Sequence, residues 1–128
     1  MPVSSTDLLD FSEHLLNQTP SSECLLRASI GRAYYAVYHE ALSVAESLQL
    51  PQHRTNTGQH DQLISRFDKS GKKLRIIANR IAAAKMARVE ADYKLHHMVS
   101  SIDARKHLVS CQSIVNELAR LQASNTGT

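Results

Sequence analysis

A chain of 128 residues with a net charge of +3 predicts one domain, long enough to bury a core without staples. Aromatics are only 5%, Trp is absent, and there are four Gly and three Pro; with no strand-like runs of Val, Ile and Thr, this argues against a β-rich fold and for an all-α one with an aliphatic and alanine core. Two cysteines, Cys24 and Cys111, exclude a disulfide framework and read as reduced, semi-buried thiols. No apolar run approaches the roughly 18 residues of a membrane span, and no basic-then-apolar leader opens the chain, so the expectation is a cytoplasmic protein without a membrane segment.

Ser4 predicts a helix start, as an N-cap with Asp7 three residues on. Leu8, Leu9, Phe11, Leu15 and Leu16 then line an apolar side through about Asn17. Thr19-Pro20 is expected to end that helix and open the next, with Pro20 in the first turn. The second helix is predicted over roughly 20–49, with Leu26, Ile30, Ala33, Val37, Ala41, Val44 and Leu48 as its packing seam. Residues 50–59, with Pro51, Asn56 and Gly58, predict a loop. A short helix from His60 to Phe67 follows, broken by Lys69-Ser70-Gly71. Lys72 to about Tyr93 predicts an alanine-rich helix with Leu74, Ile77, Ile81, Ala84 and Arg88 on one side. His96-His97-Met98 falls in or near a connection, and Ser101 opens a last helix with Ala104, Leu108, Cys111, Val115 and Leu118 inward. The expected fold is therefore an antiparallel four-helix bundle with one additional short helix, a single domain over 1–124, and a small polar tail at 125–128 that frays.

The second helix holds the densest chemistry, Ser29-Ile30-Gly31-Arg32-Ala33-Tyr34-Tyr35-Ala36-Val37-Tyr38-His39-Glu40. At 100° per residue, Arg32 and His39 lie about 200° and 180° from Ile30, opposite the seam and about 10 Å apart along the axis, with Tyr35 between them. A helix apolar on one side and semi-apolar on the other is expected to be sandwiched between its own bundle and another helix or subunit. A histidine ionising near pH 6.5 can relay a proton, and a guanidinium can hold charge on phosphate oxygens. Such a pair suits cleavage of RNA by its own 2′-OH. One pair is a thin catalyst, whereas two copies facing across a two-fold axis supply base, acid and two cations.

Charge is unevenly spread. Residues 1–65 carry three Lys/Arg and seven Asp/Glu, 66–94 nine and three, and 95–128 three and two. The basic middle segment is the electrostatic footprint expected for a polyanion, with Lys72, Lys73, Arg75, Arg80 and Lys85 as candidate RNA-phosphate contacts. Arg88 and Asp92 stand at the spacing of an intrahelical ion pair, a structural role. Seven histidines include none with His-x3-His or zinc-type spacing, so no metal and no cofactor is expected. The absence of a Gly-rich phosphate loop or Gly-x-Ser-x-Gly elbow leaves nucleotide hydrolases and serine esterases without support.

Ser29 to His39 resembles the second-helix signature of HEPN domains, the higher eukaryote and prokaryote nucleotide-binding family, in the branch with an S-R-A-Y-Y-A-x-F-H type segment. Arg88-Val89-Glu90-Ala91-Asp92-Tyr93 is similar to that branch's later R-x-x-A-D-Y segment, and the likeness runs over roughly residues 5–122. It implies a helical bundle that often dimerises. Many members are metal-independent ribonucleases built on R-x(4–6)-H, frequently toxins paired with a nucleotidyltransferase antitoxin. On that pattern Arg32 and His39 are the catalytic pair, with Tyr35 positioning them. Ala33 stands where active nucleases usually carry a polar residue, and His39-Glu40-Ala41 lacks the His-x-Tyr of toxins silenced by adenylylation. The resemblance thus also implies an alternative, a non-catalytic RNA-, nucleotide- or protein-binding subunit that partners a nucleotidyltransferase.

Overall fold

The computed structural model describes residues 3–53 and 56–126. Residues 1 and 2, Arg54 and Thr55 of the expected loop, and tail positions 127 and 128 lie outside the described set. The chain is all-helical, with no strand among the described residues. The helices are α1 (Ser5–Leu16), α2 (Glu23–Ser47), α3 (Gln59–Asp68), α4 (Lys72–Tyr93) and α5 (Ser101–Thr126). None is long and apolar enough to cross a membrane.

Local chemistry sets most of the boundaries. Ser4 caps α1 in a full capping box, its Oγ accepting from the Asp7 N–H at 3.1 Å while Asp7 accepts from the Ser4 N–H at 2.9 Å. Pro20 does not open α2. The helix starts at Glu23, because the Ser22 hydroxyl accepts from the Leu25 N–H at 3.2 Å and supplies a side-chain cap that Pro20 cannot. Gly71, at φ 105°, makes the left-handed turn between α3 and α4 that residues with a Cβ resist. The last helix runs two residues into the expected tail, through Asn125 and Thr126.

α2 packs against all four other helices, while α1 also meets α5, and α4 meets α3 and α5. Its seam is small where neighbours come close. Ala33, Ala36, Val37, Ala41, Val44 and Ala45 are fully buried, joined by Ile77 and Ile81 of α4 and Leu108, Cys111, Ile114 and Leu118 of α5. Burying each large aliphatic or aromatic side chain contributes about 1.5–3 kcal/mol. On α1 the inward stripe is Leu9, Ser12 and Leu16, and Phe11, expected inward, is 49% exposed. The reason is a polar crossing. The Ser12 Oγ donates to the Ser29 carbonyl at 2.7 Å and the Ser29 Oγ to the Ser12 carbonyl at 2.8 Å, so two small hydroxyls draw the backbones together. Of the cysteines, Cys111 is buried and Cys24 is exposed rather than semi-buried; both are free thiols. Burial pushes the Cys111 thiol up to about 12.

Two arginines tie the connections to α2. Arg27 donates to the carbonyls of Ala91 at 2.7 Å and Glu90 at 3.3 Å, and also to that of His97, covering the C-terminal end of α4. Buried Arg66 donates to the Leu50 carbonyl at 2.8 Å and to Glu46 at 2.7 Å, closing the other end of α2. The His96 and His97 rings meet at 4.3 Å in the connection before α5, rather than pointing apart as they would on a helix.

A Cβ on Gly31 would lie 3.9 Å from the Asp92 Oδ1, an ordinary contact. A glycine in a helix interior costs roughly 0.5–1 kcal/mol relative to alanine. Gly31→Ala is therefore expected to stabilise the fold by about that amount, read as a higher urea midpoint at unchanged slope. A second expectation concerns buried His107, whose Nε2–H donates to the Ile30 carbonyl at 3.1 Å. Burial holds its pKa below the ordinary value, against a smaller raising effect of that hydrogen bond. The unfolded chain then takes up the proton first as pH drops. This stability is fully present above about 6.5 and is lost as pH falls toward the folded pKa. Thermal unfolding at stepped pH should show Tm falling below pH 6.5, with a shallower fall in His107→Gln.

Candidate functional site

Arg32, Tyr35 and His39 lie opposite the seam, as the wheel requires, while Tyr34 and Tyr38 fall on the flank nearer to it. Tyr34 is fully buried, Tyr35 and Tyr38 are half-buried, Arg32 is half-buried and His39 is exposed. The Arg32 guanidinium lies over the Tyr35 ring at 5.0 Å, a cation–π contact, and the Tyr35 and His39 rings are 6.4 Å apart. Arg32 and His39 form no ion pair among the described residues, and Glu46, further along the same side of α2, is engaged by Arg66.

Two other helices complete the cluster. The first turn of α3 brings His60 against three tyrosines. Its Nδ1 is 2.6 Å from the Tyr34 Oη, and its ring is 4.4 Å from that of Tyr38 and 6.1 Å from that of Tyr35. From α4, Arg88 lays its guanidinium over Tyr34 at 5.4 Å, Tyr35 at 5.8 Å and Tyr93 at 5.9 Å. Its ion pair with Asp92 forms at 3.5 Å, a long contact to a carboxylate 39% exposed. The Arg88 Nε is buried with no partner among the described residues. The aromatic faces and the carboxylate thus hold this charge together.

The electrostatics follow from that packing. Burial raises the Tyr34 phenol well above its ordinary range, with the Arg88 charge opposing the shift, so Tyr34 stays a neutral hydroxyl. Burial also lowers His60, and the positive charges of Arg88 and Lys85 add to this against the opposing effect of Asp61. His60 is therefore a neutral imidazole near pH 7. Nothing in the sequence pattern pointed to it, because it opens a short separate helix and shares no spacing with Arg32 or His39. A cleft of about 250 Å³ opens beside Tyr38, lined by Leu42, His53, Gln59, Gln62 and Arg66 among others.

The five candidate phosphate contacts of α4 do not gather into one patch. Positions 72, 73, 75, 80 and 85 spread around the helix at 100° per residue. Arg80 is paired with Glu117 and donates to Ser113 at 2.9 Å, Lys85 is paired with Asp61 at 2.6 Å, and Arg75 stands 3.6 Å from Asp68. Lys72 and Lys73 are exposed and make no ion pair among the described residues. They begin α4, about 24 Å along its axis from Arg88. Among the described residues no three His, Cys, Asp or Glu side chains converge as metal ligands would. The chain matches no family model and no curated protein.

The Arg88 charge is one cause of the lowered His60 pKa, so Arg88→Met, which keeps the bulk and removes the charge, should move it part of the way back. Titration of the His60 ring signals by NMR is expected to show a higher midpoint in the variant, the share due to burial remaining. An unmoved midpoint would place Arg88 electrostatically out of reach.

Proposed function

We propose that this chain is a HEPN-type protein acting on RNA, a metal-independent endoribonuclease of toxin or defence type in which Arg32 and His39 work across a homodimer. The observation that supports it is a guanidinium and an imidazole on one accessible side of α2, neither neutralised by an acid among the described residues, with Tyr35 beneath the guanidinium. Arg32 holds the charge that builds on the phosphate oxygens, His39 moves the proton, and Tyr35 fixes the orientation of the guanidinium. The 2′-OH attacks its own phosphate, the bond to the 5′-oxygen breaks, and a 2′,3′-cyclic phosphate and a 5′-OH remain. Lys72 and Lys73, with Arg75, Arg80 and Lys85 as far as their ion pairs yield, draw the backbone in from α4. On this reading α1, α2, α4 and α5 are the antiparallel four-helix bundle and α3 the added helix. Its packing on α2 and α4 alone fits that role.

One observation favours the alternative, a non-catalytic RNA-, nucleotide- or protein-binding subunit that partners a nucleotidyltransferase. Ala33 is fully buried, so the position after the arginine adds no polar group to the site.

The deciding assay is cleavage of an end-labelled single-stranded RNA in EDTA. Wild type is expected to cut, and Arg32→Ala and His39→Ala to cut at least about 100-fold more slowly. RNA bound but left intact by the wild type selects the binding subunit, and cleavage undiminished in His39→Ala removes the pair from the chemistry.

A further inference from the structure

The site described above supplies one proton-carrying group per copy, whereas transesterification of RNA needs two. One takes the proton of the 2′-OH and one protonates the departing 5′-oxygen. The structure holds a second candidate that needs no partner copy. His60 comes from a different helix and meets the same rings as His39. The His60 and His39 rings lie 4.4 Å and 5.3 Å from that of Tyr38, and 6.1 Å and 6.4 Å from that of Tyr35.

The surroundings of the ring bear on which role it takes. Its Nδ1 is held at 2.6 Å by the buried Tyr34 hydroxyl, which fixes the ring plane and leaves Nε2 without a protein partner among the described residues. The residue is half-buried, so part of the ring is accessible. A base whose far nitrogen is tied to a fixed group is the arrangement that holds an imidazole for proton abstraction. The groups that face it are Tyr34, Tyr35, Tyr38 and His39 from α2, Lys85 and Arg88 from α4, and Asp61 on α3. Two of these are cations, and Asp61 is already paired with Lys85. The environment therefore favours the neutral ring.

Resting on the ribonuclease reading, we propose that His60 is a further catalytic residue, the general base of the same protomer's site, with His39 as the general acid and Tyr34 as the residue that positions the base. In the reactive tautomer the Nδ1–H donates to the Tyr34 Oη and Nε2 is unprotonated. Nε2 takes the 2′-OH proton as the O2′–P bond forms, and His39, entering protonated, gives its proton to O5′ as the P–O5′ bond breaks. Each turnover leaves His60 protonated and His39 neutral, and exchange with water resets both. Arg32 stays on the phosphate throughout. The reaction consumes no oxidant, reductant or second substrate.

The test is the pH–rate profile of RNA cleavage in EDTA for wild type, His39→Ala, His60→Ala and Tyr34→Phe, with circular dichroism confirming the helices of each. His60→Ala is expected to lose at least about 100-fold in rate. It should also lose the low-pH limb of the bell while keeping the alkaline one, and regain rate with added imidazole. Tyr34→Phe, which keeps the ring and removes the anchor, should lose about 10-fold, the lower end for partners that orient a catalytic group. If His60→Ala cuts at the wild-type rate, or slows with an unchanged profile and no imidazole rescue, while His39→Ala is inactive, the inference falls and the Arg32/His39 reading stands. A wild type that leaves RNA intact overturns both.

Discussion

Everything in this fold passes through the narrow waist of α2. One helix can touch four others only if its side chains let their backbones approach, and the buried positions 29–45 of α2 are mostly serine, glycine, alanine and valine. Leu26 and Ile30 sit at the edge of that region, and bulk is supplied from the partners, by Phe67, Ile77, Ile81, Leu108, Ile114 and Leu118. Small residues on the hub and large ones on the rim fill the core without forcing the helices apart. They also decide where polar groups can go. At Ser12 and Ser29 the approach is close enough for each hydroxyl to reach the other helix's carbonyl.

The same economy shapes the aromatic cluster beside the seam. Tyr34 is the one large residue of α2 that is fully buried, and its hydroxyl has to be satisfied at the edge of the core. His60 does so from α3, a helix of ten residues that packs mainly on α4 and reaches α2 through a few contacts such as this one. Arg88 is buried beside the three rings with the Asp92 carboxylate at 3.5 Å, an arrangement in which π faces supplement the counter-charge. Its charge then bears on His60 and Tyr34 alike. Arg32 and His39 share the Tyr35 ring but not the burial, so the accessible edge of the cluster carries the groups that can meet a ligand.

Much of this was legible residue by residue. The α2 seam, the inward stripe of α5 and the Ile77–Arg88 side of α4 all follow from spacing of three and four, because a buried helix face repeats with the helix itself. Failures occurred where polarity and burial part company. Phe11 was expected inward, yet the serine pair at the α1–α2 crossing buries Ser12 and leaves Phe11 exposed. Pro20 was expected to open α2, but Ser22 holds the better cap. The basic residues of α4 form a run in sequence, and the acids that engage three of them, Asp61, Asp68 and Glu117, lie on other helices or beyond a turn.

By itself the sequence determined that the chain is helical, which faces are buried, and that Arg32, Tyr35 and His39 share one side of one helix. Those properties depend on local backbone geometry and the 3.6-residue repeat, which act within a few residues. Only the tertiary structure decided that His60 and Arg88 join that side, that Tyr34 anchors the imidazole, and that most of the α4 cations are spoken for. Each of these is a contact between helices far apart in the chain, set by the angle and depth at which they pack, and no spacing within a single helix encodes it.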